Sequence, residues 1–185
     1  MSGALDASVA GVFGKLPAHG DFVRRGLPAR FVEPWDAWLS AGLVAAAEAL
    51  GEDAWRDAWD TALPFRFRLA PGACGREAAI GVAFPSTDMV GRRFPLTLAA
   101  LLPNAGDPPP DWFAVAEEAG ARAVAGALDA DALAALLPLP SDPGDPDATL
   151  DGACRFWRTE DRTLLVSAGL PPPWRFPLLL GLEPG

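Results

Sequence analysis

The chain has 185 residues, half of them hydrophobic and seven of them tryptophan, enough to bury a substantial core in one domain; with that many aromatics, its 19 glycines and 20 prolines are loop punctuation, not disorder. The net charge of −9 is unevenly spread: residues 1–100 carry ten basic and eleven acidic side chains, residues 101–185 five and thirteen. An acidic C-terminal half argues against nucleic-acid binding, because that affinity comes largely from Lys and Arg neutralising phosphates.

Val9 to Phe13 is a short apolar run closed by Gly14, a first strand. The charged segment Gly14-Lys15-Leu16-Pro17-Ala18-His19-Gly20-Asp21-Phe22-Val23-Arg24-Arg25 follows as a loop. Pro28 then suits a helix N-terminus, where its missing N–H costs nothing. Phe31, Trp35, Trp38, Leu39, Leu43, Ala46 and Leu50 recur at three- and four-residue steps, which predicts an amphipathic helix over 29–50 ending at Gly51. That Trp/Leu stripe is core packing. A second short helix over 53–60 places Trp55 and Trp59 on the same side.

Phe65-Arg66-Phe67-Arg68-Leu69 alternates as a half-buried strand does. Pro71 to Gly75 is a turn, and Ala78 to Phe84 a strand antiparallel to the one before. Pro85-Ser86-Thr87-Asp88-Met89-Val90-Gly91-Arg92-Arg93-Phe94-Pro95-Leu96 caps it as a second charged loop, and Phe94 to Leu102 is a strand apolar without alternation, buried on both faces. Helical spacing runs from Asp111 to Leu128, and Asp129 caps a further helix ending near Leu137. Residues 138–147 form an exposed acidic, proline-rich loop. A hairpin follows, from Cys154–Trp157 and Thr163–Ser167 around Glu160-Asp161, then Pro171–Pro173 and a short terminal helix or coil. The order β-α-α-β-β-β-α-α-β-β implies one domain over 1–185, α/β in the mixed α+β sense: a mixed, largely antiparallel sheet covered by helices on both faces. Strand order cannot be read from this.

Most chemistry can be set aside. Ser86, His19 and Asp21 or Asp88 assemble a hydrolase triad on paper, but Ser86 lacks the Gly-x-Ser-x-Gly elbow that presents a nucleophile. Gly14-Lys15 is not a phosphate-binding loop: Leu16 follows the lysine and Ala10 stands where the first glycine belongs. Cys74 and Cys154 are in no zinc or redox spacing, and with one histidine the chain offers no metal first shell and calls for no cofactor. Met1 to Val9 lacks a basic n-region, and the longest uncharged apolar stretch falls far short of the ~20 residues of a membrane span. The expectation is a cytoplasmic protein without membrane insertion.

What remains is two loops with fixed backbones and exposed functional groups. Gly14, Gly20 and Gly91 supply backbone freedom or close approach. Pro17, Pro85 and Pro95 stiffen the loops, and Phe22 and Phe94 anchor them. Lys15, Asp21, Arg24, Arg25, Ser86, Asp88, Arg92 and Arg93 are the candidate partner contacts, the arginine pairs suiting carboxylates or phosphates through their planar forks; Asp21 and Asp88 also read as local caps, or as charged partners for Arg24, Arg25, Arg92 and Arg93. If both loops lie at one end of the sheet, they form one surface.

Together, Gly14–Arg25 and Pro85–Leu96 resemble the signature segments of the TagF family, associated with bacterial type VI secretion. Weaker support comes from Trp35–Trp38, Pro64–Phe67, Gly169-Leu170-Pro171 and Phe156-Trp157, the last standing where the family usually has two tryptophans. The resemblance implies a cytoplasmic protein that restrains type VI secretion after translation by binding a secretion component such as the forkhead-associated scaffold protein; charged, glycine-rich loops without a catalytic set make the expectation a non-enzymatic module. A positive assembly factor using the same surface is the alternative, and a small hydrolase is the distant third.

Overall fold

In the computed structural model, residues 8–102, 110–140, 152–158 and 163–182 are described. Among these residues seven strands form one sheet: β1 (Val9–Gly14), β2 (Val23–Arg25), β3 (Phe65–Leu69), β4 (Ala78–Phe84), β5 (Leu96–Leu102), β6 (Cys154–Trp157) and β7 (Thr163–Ser167). Their order across the sheet is β2-β1-β5-β4-β3-β6-β7. The helices are α1 (Ala29–Leu50), α2 (Glu52–Thr61), α3 (Pro110–Val124), α4 (Ala130–Leu136) and a terminal 3₁₀ segment, α5 (Pro173–Leu180).

Two expectations are corrected. Among the described residues every strand pairing is antiparallel, so the sheet there is not mixed. The α1–α2 crossover carries the chain from one edge to β3 with its direction already opposed to that of β4. The first charged segment is also not all loop. Its last three residues turn back as β2 beside β1, with Val23 buried and opposite Gly14. The acidic stretch expected over 138–147 lies mostly outside the described residues, as does the turn at Glu160-Asp161.

Strand alternation divides the core into two clusters. Phe13, Phe65, Phe67, Leu69, Ala79, Ala83, Ala99 and Leu101 pack with α1, Trp59 of α2 and α5. Their neighbours of the other parity, among them Val12, Ile80, Val82, Phe84, Leu96 and Leu98, pack with α3 and α4. The aromatic stripe of α1 fits because the strands beneath it carry small residues. Trp35 is fully buried, 4.5 Å from the Phe67 ring and 5.0 Å from Trp38, and its indole N–H donates to the buried Thr97 hydroxyl at 2.9 Å. Gly81 is required here, since a Cβ would overlap the Phe67 ring and the Leu98 carbonyl. Phe156 and Trp157, adjacent on β6, serve opposite clusters: Phe156 faces Trp38 at 5.6 Å and Trp157 faces Phe113 at 5.4 Å.

Helix boundaries follow local chemistry. Pro28 caps α1 in an extended conformation, and Gly51 ends it with φ 84°. Asp129 caps α4, its carboxylate accepting the Ala132 N–H at 2.8 Å. Cys74 and Cys154 are free and buried. Burial, reinforced by the neighbouring Cys154, pushes the Cys74 thiol up to about 12. Among the described residues no helix is long and apolar enough to cross a membrane.

Candidate functional site

The register decides where the two charged segments meet. Gly14, the last residue of β1, pairs with Leu96, the first of β5, and Leu96 also pairs with Phe84, the last of β4. The loop leaving β1 and the loop joining β4 to β5 therefore emerge side by side at one end of the sheet.

They are locked together by a buried carboxylate. Asp88 receives the Lys15 ammonium at 3.1 Å and the Arg92 guanidinium at 2.7 Å, together with the backbone N–H groups of Val90 at 3.1 Å and Arg92 at 2.9 Å. Burial by itself would push this carboxyl up. The backbone and cationic donors outweigh burial and hold it well below the usual carboxylate range. Three further bonds cross between the loops: the Ser86 hydroxyl donates to the Lys15 carbonyl at 2.8 Å, the Met89 N–H to the His19 carbonyl at 2.8 Å, and the Arg92 guanidinium to the Gly20 carbonyl at 2.7 Å. The Trp59 indole also donates to the Ser86 carbonyl at 3.2 Å, fixing α2 to the second loop.

Lys15, Ser86 and Asp88, three of the candidate contacts, are thus interior groups with inward partners. Arg93 is engaged by Asp60 of α2 through two hydrogen bonds at 2.7 and 3.0 Å, which hold the Asp60 carboxyl below its ordinary range. Arg25 reaches Asp131 of α4 at 2.6 Å. Asp21 is a local cap, its carboxylate accepting the next residue's N–H at 2.7 Å. Arg24 remains exposed, and Arg92 keeps more than half of its side chain in solvent.

The outward groups include large apolar side chains beside the charged ones, which sequence reasoning did not anticipate. Phe22 does not sink into the core as Phe94 does: it packs 4.8 Å from the Phe94 ring and 6.0 Å from Phe13, and stays 47% exposed. The Lys15 ammonium lies 5.0 Å from the Phe22 ring centroid. Met89 and Val90, at the tip of the second loop, are 65% and 70% exposed. The residues following Asp88 form a tight turn, with Gly91 at φ 84° and its N–H bonded to the Asp88 carbonyl at 3.0 Å, and Met89 and Val90 sit at its tip. The signal available in the sequence was the pair of large apolar residues inside a turn otherwise made of Pro, Ser, Asp and Gly.

The hydrolase arrangement is not assembled. The His19 Nε2 accepts the Ala130 N–H at the start of α4, 3.1 Å away, and so spends the lone pair a general base would need. The Ser86 hydroxyl is turned to the Lys15 carbonyl, and Asp88 is held by its two cations. Among the described residues, no three His, Cys, Asp or Glu side chains converge as a metal site.

Asp88 makes a pH prediction. Because its folded-state pKa is depressed, the stability it confers is complete above the unfolded value of about 3.9 and is lost as pH falls from there towards the lower folded value. Asp88→Asn should therefore be less stable than the wild type at neutral pH, with the gap closing below about pH 4, as read from thermal melts across an acid series.

The curated proteins include no match to this chain. Among solved structures, the chain is similar to PA0076 from Pseudomonas aeruginosa PAO1, with 36% sequence identity, coverage of 95% of this chain and 99% of that one, and a TM-score of 0.80. Residues 11–138, which contain both interlocked loops, match the family described as "TagF N-terminal domain, Type VI secretion system-associated". The loops that resembled the TagF signatures lie within that match and the fold is shared along nearly the whole chain, so this protein belongs to the TagF N-terminal domain family and is associated with type VI secretion.

Proposed function

We propose that the chain is a non-enzymatic regulator that represses type VI secretion after translation, acting in the cytoplasm by binding a secretion component, the forkhead-associated scaffold protein. The observation that carries this reading is the composite surface. Asp88 ties the two loops together, with Lys15, Ser86 and Asp88 turned inward and Phe22, Met89, Val90, Asp21, Arg24 and Arg92 left at the surface. Apolar anchors beside guanidinium groups, tied together before contact, are what a protein-binding surface requires. Occupying the scaffold through this surface reduces the pool available for assembly.

Met89→Asp combined with Val90→Asp tests it. Both side chains are mostly exposed, so the variant should keep its circular dichroism and melting temperature while losing capture of the scaffold from native cytosol. Cells carrying the variant should secrete as strongly as cells lacking the gene, and more than the wild type. Equal capture by the variant, or unchanged or lower secretion on deletion, would count against the proposal.

A further inference from the structure

The two edges of the sheet are built differently. β2, at one edge, is three residues long and two of them are arginines, one tied to α4. A very short, charged edge strand resists the addition of another strand. β7, at the other edge, is Thr163-Leu164-Leu165-Val166-Ser167, five residues with no charge. Among the described residues it pairs only with β6. Leu165 is buried opposite Phe156, whereas Val166, opposite Arg155, is 43% exposed. An uncharged aliphatic strand with an open row of backbone N–H and C=O groups is a template for strand addition.

The order of residues in β7 identifies the occupant. From either end the strand runs hydroxyl, aliphatic, aliphatic, aliphatic, hydroxyl. An antiparallel pairing about a two-fold axis at Leu165 sets Thr163 opposite Ser167 of a second copy, Leu164 opposite Val166, and Leu165 opposite itself. Hydroxyl pairs and aliphatic pairs are favourable directly across antiparallel strands, and no like charges meet. A foreign strand would have to supply this pattern independently, whereas a second copy supplies it by symmetry.

We propose that β7 is a self-association edge, pairing antiparallel with β7 of a second copy about Leu165 and joining the two sheets end to end. This surface is separate from the two interlocked loops, which leave β1, β4 and β5 and are set apart from β7 by β3 and β6. A seam of one short strand falls below the ~1,000 Å² expected of a stable interface, so the dimer is weak and concentration-dependent.

Sedimentation velocity of the full chain over a wide concentration series tests this. The wild type should shift from monomer towards dimer as concentration rises. Val166→Lys, which places a charge on the seam without entering the core, should stay monomeric throughout with unchanged circular dichroism. The register has its own test. Leu164→Cys and Val166→Cys chains mixed and oxidised with diamide should form a covalent dimer, and neither variant alone should do so. A wild type that is monomeric at every concentration, a Val166→Lys variant that associates like the wild type, or a mixture that fails to cross-link would each overturn the proposal. Cross-linking of Val166→Cys alone would overturn the pairing about Leu165.

Discussion

Replacing Trp35 with alanine should lower stability by about 3–5 kcal/mol, the cost of emptying a fully buried indole site. Trp35 is the centre of the larger aromatic cluster, touching Phe31, Trp38 and Phe67 and closing α1 onto the sheet. The cavity cannot collapse easily, because strand residues of the same cluster, Ala79, Ala83 and Ala99, have little side chain to move into it. Trp35→Phe separates packing from polarity. It keeps a ring in the site and leaves the fully buried Thr97 hydroxyl without its indole donor, a loss of about 1–3 kcal/mol. Urea denaturation followed by circular dichroism distinguishes the two losses. A Trp35→Ala variant less than 1 kcal/mol below wild type, against the ~3–5 expected, would mean that α1 is not seated as described.

Gly14→Ala should have the largest effect on the loop surface. Gly14 sits at φ 131°, a conformation that costs other residues about 1–3 kcal/mol. A Cβ there would also fall well inside contact distance of the Pro95 carbonyl oxygen. To relieve the overlap β1 must part from β5 where the two loops begin, which withdraws Lys15 from Asp88. The variant should therefore melt lower and lose partner capture together. Gly20→Ala, six residues on, is the internal control: nothing lies within 4 Å of the position its Cβ would take. It should be neutral to within ~0.5 kcal/mol, as surface substitutions usually are. If Gly14→Ala were as silent as Gly20→Ala, the close approach of the two loops would be wrong.

The parts of this fold that announce themselves in the sequence are those with periodicity. The stripe from Phe31 to Leu50 could only be a helix, and it ends where Gly51 ends it. Phe65 to Leu69 alternates, and its arginines lie on the side where Arg66 meets Glu117 of α3 at 2.7 Å. β2 was hidden because three residues, two of them charged, are too few to show a period. The site was half legible. Glycines and prolines marked both loops, but the interior role of Lys15 and Asp88 could not be read from either segment alone. A lysine and an aspartate are normally solvated, and their burial is affordable only because each supplies the other's counter-charge from a distant part of the chain. The same pairing changed the expected surface: Lys15 and Asp88 went inside, and the apolar tips Met89 and Val90 stayed out beside Arg24 and Arg92.

That shared carboxylate also bears on descent. Lys15 and Arg92 come from different loops yet answer to one Asp88, so neither loop can drift on its own. A lineage that neutralises Asp88 strands a cation in each segment, and one that loses Lys15 leaves the carboxylate to Arg92 alone. Substitutions at these three positions should arise as matched sets, and the two segments, distant in the chain, should be inherited as a single unit.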